Sequence, residues 1–228
     1  MKAFFFSQKI IFSALLVFNA TVLFAQPTNL PLQQIAPGVF QLGAVRLNKE
    51  ERTIQFPATI NMTNGLVEYF VVNGTGKLHE SVLKTETEPS QIHIAMLFIG
   101  AKEAAPNATG TNIVGDMFTI EVSWKIGAAE KRFRAEVLIF NSKSKSPMSK
   151  EGWIYNGSKV IDGTFIAQRD GSIVSIISDP LALANCRELE RDNDEIWFVN
   201  TNAIPPLNTT VEVTFKLETP QKSTEDTK

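Results

Sequence analysis

The chain has 228 residues, 22 Lys and Arg against 24 Asp and Glu, and a single cysteine. That length suffices for one substantial core or two small ones, and a nearly balanced charge lacks the basic surplus that nucleic acid selects. One cysteine excludes an internal disulfide and any zinc or iron–sulfur site made of this chain's thiols, so no cofactor is expected and burial must hold the fold.

Residues 1–25 read as a secretory signal peptide: Lys2 and Lys9 open it, an apolar run follows, and Ala25 is a small residue before a cut at Gln26. The apolar run is short of the roughly 20 residues that cross a bilayer, so cleavage is favoured over retention as an anchor. Loss of the leader removes two lysines and takes the formal charge from −2 to −4. The mature protein is therefore expected to be periplasmic or secreted, without a membrane span. Its partner would be an unknown protein or small molecule.

Residues 26–38, "QPTNLPLQQIAPG", have three prolines and no period, and read as an irregular lead-in. From 39 to 218 the chain reads as a single β-rich domain. "VRLN", "TIQFPATIN", "GLVEYFVVN", "KLHESVLK", "MFTIEVSWKI", "KRFRAEVLIFN", "TFIAQ", "SIVSIIS", "EIWFVN" and "TVEVTFKLE" favour strands, with Asn-Gly and Asp-Gly turns between several. Two segments break the pattern. Pro89 and Gly100 bracket an apolar stretch as the first turn and the end of a helix near 89–99, apolar nearly all round and so expected to be deeply packed. Asp179-Pro180 predicts a short helix near 180–185. Residues 219–228 are polar and read as a disordered tail. The fold class is α+β, mainly antiparallel sheet in a sandwich-like arrangement.

The chain has two histidines. His79 lies in "EYFVVNGTGKLHES", which reads as a hairpin turning at Asn73-Gly74. An even loop, the expected case, gathers Glu68, His79 and Ser81 on one mixed face. The other face then reads as core and holds a Tyr69–Glu80 polar pair. An odd loop instead sets Glu68 against Glu80, a carboxylate pair in which one pKa should rise. Glu68, His79, Glu80 and Ser81 form the candidate polar cluster. Residues two apart on a strand stand roughly 6.5–7 Å from each other, which is poor geometry for His79 to take a proton from Ser81. His93 is a packed helix residue or a metal ligand alongside His79, Glu68 and Glu80.

Other features are weaker. Asp192, Asp194 and Glu195 lack the central glycine of a calcium loop and read as a charged turn. Trp153, Tyr155 and Asn156-Gly157-Ser158 are read either as an aromatic rim for a partner or as strand and turn. Cys186 is a small buried filler. Residues 141–152, "NSKSKSPMSKEG", read as a basic, mobile loop.

Taken together, "INMTNGLVEYFVVNGTGKLHES", "IHIAMLFIG", "RAEVLIF", "WIYNGSKVIDGTFIAQRDGSIVSIISDPLALAN" and "DNDEIWFVN" resemble the YdjY-type domain of secreted bacterial proteins over residues 45–217. Gly76, Lys77, His79, Glu80 and Ser81 are the most specific piece of that resemblance. Asp179, Pro180 and Asn185 come second. The resemblance implies an exported single domain and brings no catalytic residues or cofactor with it. An iron–sulfur cluster, sometimes associated with the family, is argued against by the single cysteine. The leading expectation is a non-enzymatic binding or accessory module, and the alternative is a metal-dependent hydrolase using His79, His93 and Glu68 or Glu80.

Overall fold

The computed structural model describes residues 31–103 and 115–218. The signal peptide and the polar tail read from the sequence lie outside the described residues. The lead-in is not wholly irregular, because β1 (Gln33–Ala36) pairs with β2 (Val39–Leu42) across a turn at Pro37-Gly38. β3 (Val45–Asn48) and β4 (Thr53–Ile60) continue this meander.

β4 sets the architecture. Ile54, Phe56, Ala58 and Ile60 alternate inward with period two, as one buried face demands. On one side its lower half pairs with β3, from Thr53 to Gln55, and its upper end pairs instead with β6 (Ser81–Thr85), at Thr59 and Ile60. Pro57 sits between those stretches, where its missing N–H deprives no strand of a bond.

Next in chain order come β5 (Tyr69–Asn73), a 3₁₀ turn at Leu78–Glu80, then β6 and α1 (Pro89–Phe98). β7 (Met117–Ile126) and β8 (Ala129–Arg134) form a long hairpin. A 3₁₀ turn at Ala135–Leu138 leads to β9 (Ile139–Asn141) and β10 (Ser146–Pro147). The remaining elements are β11 (Trp153–Tyr155), β12 (Val160–Ile161), β13 (Thr164–Phe165), α2 (Ile166–Asp170), β14 (Ser172–Ser175), β15 (Ala184–Cys186), β16 (Trp197–Val199) and β17 (Thr210–Leu217).

Eight strands close on themselves in the order β4-β17-β7-β11-β15-β14-β5-β6 and back to β4, a mixed barrel and not an antiparallel sandwich. The pairs β5–β6 and β14–β15 are parallel, and the other pairs around the ring are antiparallel. An eight-stranded barrel is just wide enough for side chains to fill. Phe56, Phe118 and Phe215 meet there with ring centroids 4.9–5.2 Å apart, and Phe70 packs 5.8 Å from Trp153. β17 and β7 alternate like β4, but β5 and β14 are buried at every position. Strands covered on both faces lose the alternation that a sequence reading depends on.

Several expectations change accordingly. The hairpin at Asn73-Gly74 does not form: β5 and β6 run parallel, with Tyr69 opposite Ser81 and Val71 opposite Leu83. A type I′ turn needs positive φ at both central residues, and neither Asn73 nor Gly74 has it. Asp162-Gly163 does, with φ of 50° and 76°, and makes the β12–β13 hairpin. A parallel connection normally takes a dozen or more residues. Here it takes residues 74–80, because Gly76 packs against Val72 and the carbonyl of Gly171, where a Cβ on Gly171 would lie 2.7 Å from the Gly76 nitrogen.

The helix read at 89–99 is present as α1, with Pro89 in its first turn and Gly100 just beyond at φ 88°. It is not packed all round: Ile92, Ala95 and Met96 are buried, while Ile94 and Leu97 are exposed. The short helix near 180–185 is absent. The side chain of Asp179 holds the N–H of Leu181 in a turn, and the chain then enters β15 between β11 and β14. "TFIAQ" is strand only to Phe165 and then turns into α2. The stretch 141–152 is not a bare loop, since Asn141 and Pro147 belong to paired strands and Asn141 Oδ1 accepts from the N–H groups of Lys143 and Ser144. Trp153 and Tyr155 are core residues and form no rim.

Candidate functional site

The short crossover places Lys77 at the centre of the predicted cluster. Its ammonium lies 3.1 Å from Glu68 Oε2 and 2.9 Å from Glu80 Oε1, and sits 5.1 Å from the centre of the Tyr69 ring. Glu68 immediately precedes β5, and Glu80 ends the 3₁₀ turn before β6. The Glu68 N–H donates to the Glu80 carbonyl at 2.9 Å, so the parallel backbone itself brings the two glutamates together. Facing glutamates are the outcome tied to an odd loop, reached here through a different backbone.

Electrostatics at the cluster follow from this packing. Burial, reinforced by the neighbouring Glu80 carboxyl, pushes Glu68 above the ordinary carboxylate range. Burial acts on Glu80 in the same sense, but the Lys77 ammonium and the Glu68 carboxyl outweigh it and hold Glu80 low. Lys77 loses some solvation, yet its bonds to Glu80 and Glu68 raise it above an ordinary lysine. It therefore stays protonated and is no base.

The other members of the predicted set are separated. Ser81 is fully buried and its Oγ donates to the Lys77 carbonyl at 2.5 Å. His79 points outward, with its side chain 79% exposed, and its Nε2 lies 3.5 Å from Glu80 Oε2. Imidazole and hydroxyl thus lie on opposite sides of the turn. The predicted Tyr69–Glu80 pair is also absent: Tyr69 donates to Asp179 Oδ2 at 3.0 Å while Glu80 takes Lys77. Burial and the Asp179 charge raise the Tyr69 phenol.

Asp179 and Asn185, secondary candidates in the sequence, join the same network from below. Asn185 is completely buried. Its Oδ1 accepts from the Asp179 N–H at 2.7 Å, and its Nδ2 donates to the Asp179 carbonyl at 2.7 Å and to Asn156 Oδ1 at 2.9 Å. Asn61 Nδ2 holds the crossover from the other side through the carbonyls of Leu78 and Ser81. Sequence reasoning did not place Lys77, Tyr69, Asn61 or Asn156 in the candidate cluster: Lys77 entered only through the family resemblance, Tyr69 only as a partner for Glu80, and Asn156 only as a rim or turn residue. The closeness of Lys77 in sequence to Glu80, at i and i+3, was the available signal.

His93 belongs elsewhere. Its Nδ1 lies 2.7 Å from the Tyr155 hydroxyl, its Nε2 is 3.4 Å from Glu103 Oε1, and its ring is 4.9 Å from Phe165. Burial lowers its pKa, opposed by Glu103. Burial and Glu103 raise the Tyr155 phenol, and its hydroxyl lies within hydrogen-bond reach of both His93 Nδ1 and the His93 carbonyl, the latter at 3.4 Å. The metal set of His79, His93, Glu68 and Glu80 is thus not assembled, and among the described residues no three His, Cys, Asp or Glu side chains converge to hold an ion.

Residues 191–196 form a turn before the buried Trp197, and Cys186 is buried with its Sγ 2.8 Å from the Ile176 carbonyl. Among the described residues no helix is long and apolar enough to cross a membrane. The family profile described as the YdjY domain matches residues 45–216. Neither a curated protein nor a solved structure matches the chain significantly.

Proposed function

The chain belongs to the YdjY domain family, and from that premise we propose that it is an extracytoplasmic, non-enzymatic binding or accessory module. One observation carries the reading: Lys77 is clamped between Glu68 and Glu80 while Ser81 turns inward and His79 turns out. A nucleophile needs a base within hydrogen-bond reach, and here the hydroxyl is spent on a backbone carbonyl. The cluster instead braces residues 74–80 in a crossover of unusual shortness and displays His79 on its outer side. Export is supported by the basic and apolar character of residues 1–25.

The test is metal analysis and covalent labelling of the purified chain. Metal-free protein that unfolds cooperatively and takes no fluorophosphonate label is the expected result. Stoichiometric zinc or manganese lost on His79→Ala, or an adduct on Ser81, would establish the hydrolase instead.

A further inference from the structure

With the barrel interior filled by aromatic rings, a ligand must bind outside it. A groove of about 650 Å³ runs over the outer face where β3 leaves β4 near Pro57, a volume within the range of small-ligand sites. β4 and β17 form its floor. The β2–β3 hairpin supplies one wall through Gln41 and Arg46, and the β7–β8 hairpin supplies the other through Lys125 and Glu130. We propose that this groove binds a neutral oligosaccharide of two or three units.

Three observations select that chemistry. First, the charged lining residues are Arg46 and Lys125 against Glu130 and Glu212, two of each sign, so a charged ligand of either sign meets a like charge. Second, the floor offers no open edge: β17 lies between β4 and β7, and where β4 has no second strand beside it, at Pro57, there is no N–H to donate and the carbonyl accepts from Thr85 Oγ1 at 2.6 Å. An extended peptide would find no free strand edge on that floor to pair with. Third, Trp124 lines the groove and its indole N–H is buried without a hydrogen-bond partner among the described residues, although a buried polar group is normally satisfied. The adjacent Ser123 adds a hydroxyl to the same lining. Beside it stand the amide of Gln55, which bonds Glu212 Oε1 at 3.2 Å, and the exposed ring of Pro57. Donors and acceptors spaced around a small apolar strip match the alternation of hydroxyls and C–H faces on a sugar.

The proposal rests on the binding-module reading, and the experiment separates the two. The full mature chain, labelled with ¹⁵N, is titrated with cellotriose, maltotriose and triacetylchitotriose, and with trigalacturonate and trialanine as charged and peptide probes. At least one neutral trisaccharide is expected to shift amides of β4, β17 and β7 and the Trp124 indole, with Gln55→Ala and Ser123→Val each weakening it about fivefold or more. The groove assignment is overturned by no response to the three neutral sugars, by tighter binding of trigalacturonate or trialanine, or by shifts confined to other strands. New reducing ends during the titration would fail the non-enzymatic reading while upholding the groove.

Discussion

Gly76 and Gly171 meet backbone to backbone, and substituting them separates two costs. At Gly171, φ is +69° and an added Cβ would lie 2.7 Å from the Gly76 nitrogen and 2.8 Å from its Cα. Left-handed backbone costs a residue with a Cβ roughly 1–2 kcal/mol, and forcing atoms into a packed site costs about 1–3 kcal/mol more. Alanine also restricts the unfolded chain, which returns about 0.4–1 kcal/mol. Gly171→Ala should therefore lose roughly 2–4 kcal/mol. Gly100→Ala isolates the strain, since φ is +88° with nothing within 4 Å, and should lose about 1 kcal/mol. Gly76→Ala isolates the contact: its φ is not positive, and its Cβ would meet Val72 Cβ at 2.9 Å. About 1–2 kcal/mol is expected there. Urea unfolding at an unchanged m-value measures all three. A Gly171→Ala loss no larger than that of Gly100→Ala would refute the claim that this contact permits the short crossover.

Lys77→Met leaves Glu68 and Glu80 facing each other; because Lys77 is half-exposed, a loss of only about 1–2 kcal/mol is expected at pH 7. Without the ammonium both folded-state carboxyl pKa values rise, so the deficit should shrink by pH 4, and equal losses at both pH values would count against the cluster. The lowered pKa of His93 means the unfolded chain binds the proton more readily. Its contribution is present above the unfolded value of 6.5 and is lost as pH falls through the folded one. Urea midpoints from pH 7 to 5 should fall less steeply in His93→Gln than in the native chain. Asn185→Ala strands the Asp179 N–H and carbonyl and Asn156, and should cost about 2–4 kcal/mol by thermal or urea unfolding. Burial pushes the Cys186 thiol up to about 12, so a thiol reagent should label it only on unfolding.

Sequence alone determined whatever depends on neighbours in the chain. The inward alternation of β4, β7 and β17 was legible because each keeps one face in the core, and α1 because Pro89 and Gly100 punctuate it locally. Glu68 and Glu80 were legible as candidates because few polar groups interrupt that apolar region. Tertiary structure decided the rest. The direction of β6 depends on Gly171, far along the chain, admitting the backbone of Gly76. The turn at Asp179 depends on the amide of Asn185 capturing its N–H and carbonyl, which competes with the helix that Asp-Pro otherwise favours. β5 and β14 lost their readable period because both their faces are covered. Residue spacing carries the geometry of one element. Which backbone approaches which is set by close packing between distant segments, and here that packing turned an expected hairpin into a parallel pair and a candidate polar face of Glu68, His79 and Ser81 into a lysine clasp.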